Sequence, residues 1–352
     1  MTAAFVPGAA LNAGFYRDVV EPGLRPISHA AALLGWGSDV LGYDDARSTD
    51  HGWGPRLKLF VGPGDVTRAV DRIEGMLPTE YAGWPVRFGW DGLPDKHFVE
   101  VNVLSDWVVT QLGVDALRPL TSIDWLLMAQ QQLLGVVGGA VYADPQGELA
   151  RLRETLAWYP DQLWRWLLAC QWAKISQEEA FVGRSADAGD DLGSGVLAAR
   201  IVRELMRLAF LQQRRYAPYS KWLGTAFCRL AGAGDLVPIL RSALSARSYA
   251  EREAALVAAY ELLARAQNAL ALHEPVDPTV RNYHTRPFQV LHAERFADAL
   301  VGTVDDPDLT ALPQVGSVDQ WIDSTDVLSD SERMSGLRSF YENLSSSRPA
   351  TG

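Results

Sequence analysis

Only two cysteines, Cys170 and Cys228, occur in 352 residues. That excludes a disulfide-dense scaffold and a four-cysteine zinc site. The six histidines are scattered, with no His-Glu-x-x-His or comparable metal spacing. No apolar run approaches the roughly 20 residues that span a bilayer, so no membrane partner is expected. Residues 1–18 lack a basic segment and end in no clear cleavage motif, so no signal peptide is read and a cytoplasmic protein is expected. Positive charge is also short. There are 32 Lys and Arg against 43 Asp and Glu, a formal charge of -11. This disfavours a nucleic-acid partner held through bulk charge and leaves a local basic pocket open. No internal repeat occurs at a solenoid period. What the chain does have is 48% apolar residues, enough for a substantial core, and twelve tryptophans.

The chain changes texture near Asn102. Before it, Gly, Pro and short alternating runs dominate. Residues 57–61 read as a strand ending at Gly62-Pro63-Gly64, with Asp65 placed to cap a helix whose apolar stripe is Val66, Ala69, Val70, Ile73 and Leu77. Residues 85–88 are a second strand candidate. Residues 98–103 alternate, with Val99, Val101 and Val103 on one face and Glu100 and Asn102 on the other. Beyond Asp106 the periodicity is helical. Helices are expected over 121–137, 220–232, 234–245 and 248–273, with a turn at 138–144. Another follows Pro160-Asp161, carrying Trp164, Leu167, Leu168, Trp172 and Ile175. The fold class expected is α+β, divided as an α/β domain at 1–115, a helical domain at 116–275 and an extension at 276–352 packed on the helical domain.

The segment 35–56, GWGSDVLGYDDARSTDHGWGPR, carries the most chemistry. A helical pattern at 24–34 runs into Gly35. Gly37-Ser38 then supplies a turn whose N–H groups and hydroxyl can hold phosphate oxygens; the alternative is a plain loop after a helix. Asp50 lies twelve residues beyond Ser38, and Glu100 is on the polar face of a later strand. Neighbouring strands lie about 4.8 Å apart, so two such carboxylates can share Mg²⁺, or Mn²⁺, that bridges nucleotide phosphates. The alternative for Glu100 is a solvated position. Asp44 and His51 are possible substrate contacts, although a structural or solvated histidine fits as well.

The densest basic and aromatic cluster is 214–222, RRYAPYSKW. Ser220 is placed to cap a helix begun by Lys221. A lysine there disfavours the helix dipole unless an anion is present, so Lys221, with Arg214, Tyr219 and Ser220, can hold a phosphate chain. A solvated turn over a packed Trp222 is the alternative. Glu179 and Arg184 are further substrate-contact candidates. Lys174 and Glu178 have helix-pair spacing, Arg203 and Arg207 can line a cleft, and both cysteines are expected in the core.

The Gly-Ser turn followed by carboxylates resembles the nucleotidyltransferase superfamily. The strings GWGSDVLGYDDARSTDHGWGPRLKLF, LLACQWAKISQEEAFVGR and RRYAPYSKWLGTAF resemble the bacterial DUF4037 family over roughly residues 30–270. The resemblance implies a nucleotidyltransferase-like mixed-sheet domain and a helical domain forming the other wall of a cleft. It further implies an NTP co-substrate, ATP first, with Gly37 and Ser38 on phosphates and Asp50 and Glu100 on metal. A small-molecule acceptor would take the NMP group and release pyrophosphate. The superfamily pattern expects a second carboxylate two residues after the first, where this chain has Gly52. Asp39, Asp44 or Asp45 can substitute, or the fold keeps nucleotide binding while turnover is lost.

Overall fold

The computed structural model describes residues 4–90 and 92–346. The chain forms two compact units, and neither is one continuous stretch. The first takes the residues up to Thr121, then Met128–Ala157 and Leu328–Ser335. The second takes Ser122–Leu127, Trp158–Val327 and the residues from Gly336.

The first unit is built on a five-stranded mixed sheet: β1 (His29–Leu33), β2 (Arg56–Val61), β3 (Arg87–Phe88), β4 (Lys96–Asn102) and β5 (Ala140–Ala143). In space the order is β3-β4-β2-β1-β5. Strand β1 runs antiparallel to both β2 and β5, β2 is parallel to β4, and β3 is antiparallel to β4. Leu57, Leu59, Val61 and Val99 share one face. They form a core with Phe15 of α1 (Gly8–Phe15) and with Ala69 and Ile73 of α2 (Val66–Met76). Val70 turns out to solvent, so the buried stripe of α2 is narrower than expected. Asp65 is the cap position of α2, but its carboxylate pairs with Arg68 at 2.7 Å instead of bonding the backbone. On the sheet's other face, Phe60 meets Trp107 of α3 (Leu104–Leu112) edge-on, with centroids 5.2 Å apart.

Three expectations change. The helical pattern at 24–34 is replaced by β1, the strand next to the sheet's centre. Ala31, Ala32, Leu33 and Leu34 are all buried, and a short run buried on both faces has no periodicity to separate strand from helix. The turn at 138–144 contains the edge strand β5. The expected helix over 121–137 is two helices, Ser122–Leu127 and α4 (Gln130–Val137), which fall in different units. Leu328–Ser335 joins the first unit through Ser331, which donates to the Thr110 carbonyl at 2.6 Å, and Ser329, which accepts from Gln131 at 2.8 Å.

The second unit is largely helical: α5 (Asp161–Asp187), α6 (Asp191–Gln212), α7 (Ser220–Phe227), α8 (Ala233–Ser245), α9 (Tyr249–Ala269) and α10 (Glu294–Val301). The stripe Trp164, Leu167, Leu168, Trp172 and Ile175 is buried throughout. The Trp164 indole donates to the Leu211 carbonyl at 2.7 Å, Trp172 donates to Gln267 at 3.1 Å, and Trp172 stacks on Phe296. These two rings thus bury area with their N–H groups paired. Asp190 ends the break at 189–191 by accepting from the Gly193 N–H at 2.7 Å. A mixed-sheet region followed by a largely helical one is the α+β architecture expected.

Candidate functional site

Strand β1 leads directly into the Gly-Ser turn, and the one-turn helix Ser38–Leu41 follows. Gly37 has φ +122°, in the left-handed region, and a Cβ there would run into Asp39 and Arg56. Those two side chains are almost fully buried and paired in a fork. Arg56 Nε donates to Asp39 Oδ2 at 2.9 Å, Nη2 donates to Oδ1 at 2.5 Å, and Nη2 also reaches the Trp36 carbonyl. The guanidinium lies 4.5 Å from the centre of the Trp36 ring. Asp39 is therefore committed to holding the turn. Ser38 is half-buried, and among the described residues no group bonds its hydroxyl.

Asp44 accepts from the Gly8 N–H at 2.6 Å and from the Trp53 indole at 3.0 Å, tying the loop to the start of α1. Asp50 lies in the single turn Ser48–Asp50, six residues ahead of β2. Its side chain is 70% exposed, and Oδ1 meets His51 Nδ1 at 2.6 Å. Gly52 has φ +64°. A Cβ built there would lie 2.9 Å from Trp36 Cζ3 and 3.4 Å from Cη2. The place where a second carboxylate was expected is thus closed by the tryptophan ring.

Glu100 stands opposite Lys58 in the β2–β4 register and is ion-paired with its ammonium. The neighbour of Glu100 is a cation, where a metal site would need another carboxylate. Among the described residues, no three or more His, Cys, Asp or Glu side chains gather as a metal site. The donor set does not fit a two-metal centre. One carboxylate is held by lysine, one hydrogen-bonds a neighbouring histidine in a loop, and the third is missing.

In the second unit, Arg214 has φ +52°, packs 4.0 Å from the Trp164 ring and donates to Asp161 at 2.8 Å. The cap of α7 is Tyr219, and Ser220 is the first helical residue. Tyr219 is extended and the helix starts one residue earlier than expected. The Tyr219 hydroxyl accepts from the Trp222 indole at 2.9 Å, and Lys221 is exposed, its ammonium 5.0 Å from the Trp222 ring. Glu179 is buried and accepts from the N–H groups of Leu291 and Ala293 at 2.7 and 2.9 Å. Burial pushes its carboxyl up to about 7, outweighing those two bonds, which pull it down. Arg184 is exposed beside Phe181.

Lys174 pairs with Glu204 at 3.1 Å, not with Glu178, which pairs with Arg200 at 2.7 Å. Arg203 donates to Asp323, and Arg207 donates to the Asp319 carbonyl, so both fasten the 319–323 segment to α6. Cys170 is buried and its thiol raised by desolvation, as expected of a core cysteine, whereas Cys228 is exposed.

The sequence reading passed over Arg56, Lys58 and the exposure of Trp36. Their alternation with Leu57 and Leu59 puts the first two on one face of β2, and the register with β4 makes that the face of Glu100.

Residues 125–223 match the family described as "Domain of unknown function (DUF4037)". The interval takes in Leu167–Arg184 and most of Arg214–Phe227, and it begins well after the Gly35–Arg56 string. A solved structure similar to the chain is the nucleotidyltransferase-like protein from Exiguobacterium sibiricum 255-15. It is 13% identical, with 84% of this chain and 89% of that chain covered and a TM-score of 0.35. No curated protein matches.

Proposed function

We propose that the chain is a nucleotide-binding protein of nucleotidyltransferase type in which nucleotidyl transfer is impaired. The observation that carries this reading is the ion pair between Lys58 and Glu100 at facing positions of β2 and β4. A divalent cation on Glu100 must displace an ammonium already there, at a site where Gly52 contributes no second carboxylate. Both effects remove charge stabilisation from phosphoryl transfer, each at a cost of several kcal/mol.

Binding asks for less. The turn at Gly37-Ser38 offers phosphates its backbone and a hydroxyl that has no bonding partner among the described residues. ATP is the first candidate ligand. Titration calorimetry with ATP, run beside a pyrophosphate-release assay in Mg²⁺ and in Mn²⁺ over a panel of small amines and alcohols, tests the reading. Saturable binding without pyrophosphate is the expected result. A second reading, an Mg²⁺-dependent transferase with a small-molecule acceptor, requires Lys58 to release the partly exposed Glu100. Acceptor-dependent pyrophosphate release would establish it and overturn the first.

A further inference from the structure

Twelve tryptophans are present, and Trp36 stands out by where it is left. It is 48% exposed, while Trp53, at the other end of the same segment, is 6% exposed. An indole in water forgoes a large burial gain, so its position calls for a reason other than packing. Contacts on several sides favour one orientation of the ring. The Arg56 guanidinium lies over it at 4.5 Å and is itself fixed by Asp39 and by the Trp36 carbonyl. Gly52 leaves room for one edge, and Trp90 leans against the ring with centroids 5.6 Å apart. The result is a half-exposed ring in a preset orientation, with Arg56 over it and Trp90 and Phe98 beside it, two residues ahead of a Ser38 hydroxyl with no bond among the described residues.

We infer that Trp36 is a stacking platform for the base of a purine nucleoside triphosphate whose phosphates engage the Gly37-Ser38 turn. This rests on the nucleotide-binding reading above and adds to it the class of ligand. Stacking on an indole tolerates any base because each has a π-face, and the larger purine face covers more of the ring. ATP and GTP are accordingly expected to bind more tightly than CTP and UTP. The absence of a side chain at position 52 then has a use, because any Cβ there would push the platform out of line.

The test compares ATP with inorganic tripolyphosphate, which has the phosphates and no base, on the full chain by titration calorimetry. Trp36→Ala is expected to weaken ATP by about 5- to 150-fold, the range that loss of one base stack gives. Trp36→Phe is expected to keep most of the affinity, and tripolyphosphate is expected to bind all three proteins alike. Should Trp36→Ala unfold, Trp36→Leu, apolar but without a ring, replaces it. ATP binding unchanged in the ringless variant overturns the platform and leaves the nucleotide reading standing. An equal loss for ATP and tripolyphosphate also overturns it, since Trp36 would then only shape the turn. A wild-type chain that binds neither ligand removes the nucleotide reading and the platform together.

Discussion

Replacing Gly52 by alanine tests the closed position directly. At φ +64° a Cβ meets the intrinsic penalty of the left-handed region, about 1–2 kcal/mol. The same atom would approach Trp36 Cζ3 to 2.9 Å, so the half-exposed ring must swing away and give up its contact with Arg56, worth about 0.5–1 kcal/mol. The sum is about 1.5–3 kcal/mol of lost stability for Gly52→Ala. With Trp36→Ala already in place the collision is gone, and Gly52→Ala is expected to cost only the backbone part. The double-mutant cycle should therefore show a coupling of about 0.5–1 kcal/mol. Urea denaturation followed by far-ultraviolet circular dichroism reads all four proteins without relying on tryptophan emission. A single-variant cost below about 0.5 kcal/mol, or a cost unchanged by Trp36→Ala, would refute the reasoning. Gly52→Asp carries the same backbone penalty and the same displacement of Trp36, and it leaves Glu100 paired with Lys58, so alone it is not expected to restore a metal centre.

Three further outcomes follow from buried charges and from the cysteines. Glu179 has a folded-state carboxyl raised from 4.5 to about 7, so the folded chain holds more protons than the unfolded one across that interval. Its contribution is fully present below pH 4.5, falls as pH rises through 7 and then levels, for a total of about 3 kcal/mol. Urea midpoints for wild type and Glu179→Gln at pH 5 and pH 8 isolate it; a gap between the two proteins that does not change with pH would count against it. Removing Arg56 strands a buried Asp39, so Arg56→Ala is expected to cost about 3–5 kcal/mol, while the paired change Asp39→Asn with Arg56→Met costs far less. Equal losses in thermal denaturation would contradict that pairing. Finally, a thiol reagent should modify Cys228 in the native chain and reach Cys170 only after unfolding; rapid native labelling of both would show Cys170 to be accessible.

The sequence made some of this legible for plain physical reasons. The alternation at Val99, Val101 and Val103, and the three-and-four spacing from Trp164 to Ile175, are patterns that one buried face imposes. Strand β1 escaped because an Ala-Ala-Ala-Leu-Leu run buried on both sides carries no face-specific signal. Gly37, Ser38, Asp50 and Glu100 could be picked out by type and spacing. Their neighbours could not, because the register that sets Lys58 opposite Glu100 and the turn that lays Trp36 over Gly52 are tertiary facts. The polar residues of α5 and α6 misled for a related reason. A charged side chain lining a cleft and one tethering a distant segment, as Arg203 tethers Asp323, look the same in one dimension.

The segment Leu328–Ser335 belongs to the sheet-containing unit although about 170 residues of the other unit are synthesised before it. On the ribosome, β1 through β5 emerge early, yet Thr110 and Gln131 wait for Ser331 and Ser329, which emerge long after β5. The first unit reaches its final form only after most of the second has left the exit tunnel, however early its strands pair. A fragment ending near residue 157 would carry the sheet and lack these late contacts, so excising the amino-terminal half as a self-sufficient domain cuts across the architecture.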